Sequence, residues 1–265
     1  FQGAFRLAIP LLPYRRPEQL PDVASLPGRL ADRGCGSVLV VTSPSVANMP
    51  GTRRLLDALA AAGISCAVYS KTIPNPTTDT VEEALALYRS GNCQAIIGIG
   101  GGSSLDCAKA VGVRAVLPHK PLSKLGGVLK VRRPLPPLAA VPTTAGTGSE
   151  TTIAAVITDA VTRDKYAISD FPLIPGYAVL DPEMTLSLPP RLTASTGMDA
   201  LTHAVEAFIG RSTTPDTRED ALAAVELIFA NLERAYRDGS DLDARRSLLT
   251  ASFRAGCAFT KSYVG

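Results

Sequence analysis

The chain has 265 residues, 46% of them hydrophobic and 19% charged, with a formal net charge of +3. That composition excludes a disordered chain. No apolar run reaches the roughly 18 residues of a membrane span, and the small, dispersed positive charge leaves no footprint for nucleic acid. Arg53-Arg54 and Arg132-Arg133 read as solvated faces. The cysteines, at 35, 66, 93, 107 and 257, form no CxxC pair. Reduced thiols in a cytoplasmic protein are expected from that spacing. Phe1-Gln2-Gly3 reads as the scar of a cleaved tag, and no secretory signal follows it.

In chain order, Ala4–Leu12 is extended and apolar, and Pro17–Arg33 looks helical with breaks. Ser37–Val41, SVLVV, is a continuous β-branched run, the pattern of a buried parallel strand. Thr42-Ser43-Pro44 closes it. Gly51–Ala62 has amphipathic helical spacing, with Gly63 placed to end the helix. Ser65–Tyr69 is the next strand and Pro74–Thr78 a rigid loop. Thr80–Ser90 reads as a helix capped by Asp79 or Thr80. Ala95–Ile99 is an apolar run that leads into Gly100, Gly101 and Gly102, and a helix opens near Ser103. Without Cβ atoms, backbone N–H groups can be pressed onto a phosphate, and a helix start adds free N–H groups and its positive dipole end. This stretch reads as a pyrophosphate cradle; a glycine turn needed only for strand–helix packing is the alternative. Three β-α units in about 110 residues imply a doubly wound parallel sheet.

His119–Pro137 is a surface-like loop rich in Pro, Gly, Lys and Arg. Leu138–Val141 is a strand that runs into Pro142–Thr152, PTTAGTGSETT. Its hydroxyls and N–H groups suit a polar ligand; a plain Ser/Thr-rich loop accounts for it otherwise. Ala154–Thr158 and Tyr177–Leu180 are further strands, with Lys165 between them. After Asp181-Pro182 the pattern turns helical over Thr193–Ile209, Pro215–Asp238 and Leu242–Lys261. The expected fold class is therefore α/β. A boundary near residue 184 is expected between an α/β half and an all-helical half. In TGMDALTHAVEAF, Asp199 and His203 lie four apart, on one helix face. With Met198, Leu201, Val205 and Phe208 around them on a largely buried helix, they suit two ligands of a divalent metal. An Asp–His hydrogen bond explains the same spacing. Glu206, one turn on, is either a partner of His203 or exposed.

GGGSSLD at Gly100–Asp106, PTTAGTGSE at Pro142–Glu150, PNP at Pro74–Pro76, Asp181-Pro182 and TGMDALTH at Thr196–His203, in this order, resemble the iron-dependent (group III) alcohol dehydrogenases of the dehydroquinate synthase-like superfamily. The resemblance implies a Rossmann-like dinucleotide-binding domain over residues 1–184, an incomplete all-helical metal and substrate domain over 185–265, and hydride transfer between an alcohol, or an aldehyde or ketone, and NAD or NADP. It assigns the pyrophosphate to Gly100, Gly101, Gly102 and Ser103, and places Asp106 beside the nicotinamide ribose. Thr143, Thr144 and Thr147 would line the dinucleotide, and Lys165 would reach a nucleotide ribose. Asp199 and His203 match the first two ligands of Fe2+, or alternatively Zn2+. Two further histidine ligands are expected beyond Gly265, since His119 belongs to no family motif; the recorded chain then lacks a complete metal site. PYRRP at Pro13–Pro17 replaces the usual glycine turn after the first strand. Ser43 aligns where NAD-using relatives often carry Asp, so NADP is expected to be accepted. The implied partners are a small alcohol or aldehyde and a second copy of the chain, as a homodimer or higher homo-oligomer, with no nucleic acid and no membrane. Two alternatives remain. One is a related dehydroquinate synthase or polyol-phosphate dehydrogenase, against which CAKAVG after the glycine turn argues. The other is a catalytically inactive nucleotide-binding fragment.

Overall fold

A computed structural model describes residues 14–262; the extended stretch expected over 4–12 and the Phe1-Gln2-Gly3 start lie outside them. The backbone forms two compact units. One holds Pro17–Pro142 and Ile153–Val179. Its strands are β1 (Glu18–Leu20), β2 (Ser37–Val41), β3 (Ser65–Tyr69), β4 (Ala95–Gly100), β5 (Gly127–Val128), β6 (Leu138–Pro142), β7 (Ala154–Thr158), β8 (Lys165–Ser169) and β9 (Tyr177–Val179). Its helices are α1 (Leu26–Ala31), α2 (Pro44–Ala47), α3 (Pro50–Ala61), α4 (Thr78–Ser90) and α5 (Gly102–Val116). Six strands pair in the order β1-β9-β6-β4-β2-β3, all parallel. The expected doubly wound parallel sheet is the one that forms.

Alternation along β2 divides its packing. Leu39 and Val41 join Val81, Ala84 and Leu85 of α4 and Cys107, Ala108 and Val111 of α5 in one core. Val38 and Val40 point the other way and are equally buried. Burial pushes the Cys107 thiol up to about 12. The α3 helix ends at Ala61, and Gly63 follows at φ +73°, the left-handed conformation that glycine adopts without cost.

The short α2 and β5 are not among the expected elements, and Leu122, Leu125 and Val131 of the expected surface loop His119–Pro137 are buried in the core; three further elements depart from the expectations. Glu18–Leu20 is a strand where a broken helix is expected, and the helix begins only at Leu26. Three residues between Pro17 and Pro21 carry no periodic signal; the strand exists because it pairs with β9. The α4 helix is capped by Thr77, whose Oγ1 accepts the Thr80 N–H at 3.2 Å, rather than by Asp79 or Thr80. β8 is the third. It returns antiparallel on β7 through a turn in which Asp159 Oδ1 accepts the N–H groups of Val161 and Thr162 at 2.9 Å each.

β7 is an edge strand of the small sheet β5-β8-β7. Two of its outward groups are met from α5, and the Thr158 N–H donates to the Pro76 carbonyl at 3.0 Å. Lys109 Nζ donates to the Ala154 carbonyl at 2.8 Å, and Asp106 Oδ2 accepts the Val156 N–H at 3.1 Å. Lys109 is only 1% exposed. An ammonium that deep persists only with its protons engaged.

The other unit holds residues 14–16, Thr143–Thr152 and 180–262. The sequence pattern predicts a single boundary near 184; in the structure Thr143–Thr152 groups with the helical segments. The helices α6 (Pro190–Ile209), α7 (Pro215–Arg237) and α8 (Leu242–Ser262) pack on one another. They match the three expected helices to within a turn. Small residues let them approach: Ala207, Ala221 and Ala258 meet in one cluster. Asp220 of α7, almost fully buried, pairs with Arg16 and lies 3.8 Å from Arg254 of α8.

Arg245 of α8 is 2% exposed. It donates to the Gly239 carbonyl (2.9 Å), Thr193 Oγ1 (2.9 Å) and the Leu188 carbonyl (3.2 Å). Desolvation weakens its hold on its proton, and Asp238 opposes that effect. Methionine at 245 fills similar space but leaves these acceptors unmatched. Arg245→Met is expected to cost about 3 kcal/mol, read as a lower urea midpoint at unchanged slope.

Candidate functional site

In the α/β unit, β4 ends at Gly100 and α5 begins at Gly102, with Gly101 as the N-cap. Gly100 has φ +143°, and a Cβ there would stand 2.6 Å from Ser104 Oγ. Only glycine permits this turn. No side chain caps α5; the Ser104 N–H donates to the Gly101 carbonyl at 3.0 Å, and the N–H groups before it, of Gly102 and Ser103, stand where a helix start receives an anion. The PNP loop lies against this turn. Asn75, at φ +54°, donates its backbone N–H to Ser103 Oγ at 3.3 Å and accepts from Lys165 Nζ at 2.8 Å through Oδ1. Gly100–Ser103, Lys165 and Asn75 are thus one connected group. Asp106 lies one turn further along, with Oδ2 held by β7. Ser43, beyond the end of β2, caps α2: its Oγ accepts the Val46 N–H at 3.4 Å and lies 3.1 Å from Ser45 Oγ.

In the helical unit, Thr143 is buried, Thr144 half-buried and Thr147 exposed, with Thr147 Oγ1 accepting the Ser149 N–H at 3.3 Å. The loop is held by glycine contacts. A Cβ on Gly146 would stand 2.8 Å from the Thr196 carbonyl oxygen on α6. A Cβ on Gly148, which has φ +60°, would stand 2.7 Å from Gly256 Cα on α8. The threonine loop therefore lies against both the helix that carries Asp199 and His203 and its neighbour. Glu150, from the same motif, is buried at 2% exposure. Burial is the main cause that raises the nearby Cys257 thiol to about 11, and Tyr14, Arg16, Asp220 and Glu150 modulate it.

Asp199 and His203 stack one turn apart on α6, with Asp199 Oδ1 3.8 Å from His203 Nε2. That is too long for a hydrogen bond. It is within the separation, at most about 4.2 Å, of two ligands that each stand about 2.1 Å from one ion. His203 Nδ1 is buried and has no hydrogen-bond partner among the described residues. The imidazole lies against the Phe259 ring of α8, centroids 4.7 Å apart. Among the described residues no cluster of three or more His, Cys, Asp or Glu is placed to hold a metal. His119 is exposed, and so is Glu206. The surroundings of the pair differ from expectation: Met198, Val205 and Phe208 are exposed rather than buried. The residues not anticipated are Asn75, visible only as part of PNP, Lys109, and Phe259, whose place against His203 no local spacing announces.

Comparison with known proteins places these features in one family. The model for iron-containing alcohol dehydrogenases matches residues 21–182, and the C-terminal model of the same family matches residues 193–265. The chain belongs to the iron-containing alcohol dehydrogenase family. It is 38% identical over 237 residues to an NAD-dependent methanol dehydrogenase of Bacillus methanolicus, covering 89% of this chain and 62% of the relative. It is 41% identical over 213 residues to a 1,3-propanediol dehydrogenase of Klebsiella pneumoniae, covering 80% of this chain and 54% of that one. The fold matches the solved alcohol dehydrogenase from Oenococcus oeni with a TM-score of 0.91 at 33% identity, over 95% of this chain and 68% of that one. The chain thus spans little more than half the length of the curated relatives named here. No helix among the described residues is long and apolar enough to cross a membrane.

Proposed function

We propose that the protein transfers hydride between a small alcohol, or the corresponding aldehyde or ketone, and a nicotinamide dinucleotide, assisted by a divalent metal. The observation that carries this is the Asp199–His203 pair, one turn apart at 3.8 Å with no hydrogen bond between them. Family membership supports Fe2+ as the ion, with Zn2+ the alternative. The carboxylate of Asp199 and Nε2 of His203 would hold it. When bound, the ion supplies a Lewis acid at the alcohol oxygen, and the dinucleotide supplies the hydride acceptor. The remaining work falls to the chain. First-turn N–H groups of α5, with Gly100, Gly101, Gly102 and Ser103, receive the pyrophosphate. Asn75 holds the Lys165 ammonium beside that turn, toward a ribose. Asp106 stands beside the nicotinamide ribose, its carboxylate oriented by the Val156 N–H. Thr143, Thr144 and Thr147 line the dinucleotide. Metal analysis and alcohol-dependent formation of reduced cofactor test this on the intact protein. One divalent ion per chain and alcohol-dependent turnover are expected; the presence of neither would refute it.

NADP is accepted alongside NAD in this proposal. An acid at the end of the second strand hydrogen-bonds the adenosine ribose and repels a 2′-phosphate. Here Ser43 stands there, and its hydroxyl, which accepts from Val46 and lies 3.1 Å from Ser45 Oγ, carries no charge to repel a phosphate. Ser43→Asp is expected to shift the ratio of kcat/KM values toward NADH by at least about tenfold, the effect of roughly 1.4 kcal/mol. A wild-type preference for NADH of several hundredfold, measured with one aldehyde, would contradict it.

A further inference from the structure

We propose that Phe259 is a positioning residue for the His203 imidazole, doing with an aromatic face what a hydrogen-bond acceptor does at most ligating histidines. The inference rests on His203 acting as a metal ligand. A ligating histidine ordinarily donates its second ring N–H to a carboxylate, carbonyl or water, which sets the tautomer and fixes the ring's rotation. Among the described residues His203 has no such acceptor: Nδ1 is buried and without a partner. Asp199 stands 3.8 Å from Nε2, too far to orient the ring by hydrogen bonding. What touches the imidazole face is Phe259, reaching from α8, with centroids 4.7 Å apart and planes tilted by 34°. The separation lies within the roughly 4.5–7 Å at which aromatic rings attract one another.

The two rings come from different helices, so the contact locks rotation of the imidazole to the α6–α8 packing. α8 is itself fixed where the bare backbone of Gly256, three residues before Phe259, meets Gly148. Phe259 thus supports the ring from its face, while Nε2, with Asp199 Oδ1 3.8 Å away, is the nitrogen that would meet the ion.

The chain has two histidines, His119 and His203; His119 is exposed and serves as an internal reference. Proton NMR of the 265-residue chain without metal should show His203 ring signals displaced by the Phe259 ring current. Phe259→Leu should return them toward the His119 positions, and Phe259→Tyr should keep them. In a Mn2+ titration of the intact protein stripped of its metal, selective broadening of His203 should need about tenfold more ion in Phe259→Leu than in wild type or Phe259→Tyr, the smaller of the effects typical for loss of an orienting partner. If Phe259→Leu fails to give a dispersed, folded spectrum, Phe259→Met carries the same comparison. His203 signals and a Mn2+ midpoint unchanged in a folded Phe259→Leu or Phe259→Met chain would overturn the proposal. Mn2+ that never broadens His203 in wild type would overturn the ligand role, and with it the metal half of this proposal. The ring shifts would then separate that failure from a failure of the packing claim.

Discussion

Replacing His203 by alanine in the intact, metal-loaded protein should lower kcat/KM for alcohol oxidation by about a thousandfold or more, a loss near 4 kcal/mol of transition-state stabilisation. The variant should also lose most of its bound divalent ion. The physical cause is the donor set. Asp199 and His203 are the two candidate ligands that α6 presents together, 3.8 Å apart. An alanine leaves one carboxylate oxygen where two donors of different chemistry stood. Most of α6's contribution to charge stabilisation at the alcohol oxygen goes with it. Dinucleotide affinity should be nearly unchanged, because Gly100–Ser103 and Lys165 belong to other elements. Metal content, kcat/KM and cofactor Kd, measured together, check this. Activity within about tenfold of wild type at normal metal content would remove His203 from the site.

Gly148→Val should be the most destabilising single change in the threonine loop, at about 4 kcal/mol. Two costs add. At φ +60°, a β-branched residue is strained. Its Cβ would also stand 2.7 Å from Gly256 Cα, where the obstacle is backbone and cannot rotate away. Gly28→Ala is the control: a Cβ there meets nothing within 4 Å, so a change below about 1 kcal/mol, of stabilising sign, is expected. Urea unfolding of both variants beside wild type decides the matter. Equal midpoints for Gly148→Val and wild type would mean that loop and helix are not in backbone contact.

The parts of the fold legible in the sequence are those whose signal is local. SVLVV and AIIGIG announce buried strands by unbroken apolar runs, and the three long helices announce themselves by sustained spacing. Glu18–Leu20 is illegible because a three-residue strand has no period and owes its existence to β9. At α4, two threonines and an aspartate compete for the cap, and geometry alone shows that Thr77 takes it. The α6 helix shows another limit. Spacing correctly stacks Asp199 on His203, yet the apolar residues Met198, Val205 and Phe208 are exposed, since periodicity identifies a face without identifying what covers it. The glycine turn of α5 is legible because close backbone approach demands glycine. Gly146, Gly148 and Gly256 obey the same rule, but their partners are remote in sequence. Asn75 and Lys109 act through contacts that likewise join distant segments.

The central claim is hydride transfer from an alcohol carbon to a nicotinamide, dependent on an ion held by Asp199 and His203. Its most direct test follows the label from a C1-deuterated alcohol into the nicotinamide ring of the cofactor, in the intact protein, before and after metal removal by a chelator. The expected result is one deuterium per reduced nicotinamide with metal present, little product without it, and recovery when Fe2+ is returned. Undiminished deuterium transfer by the metal-free protein, or reduced cofactor without deuterium, would contradict the account.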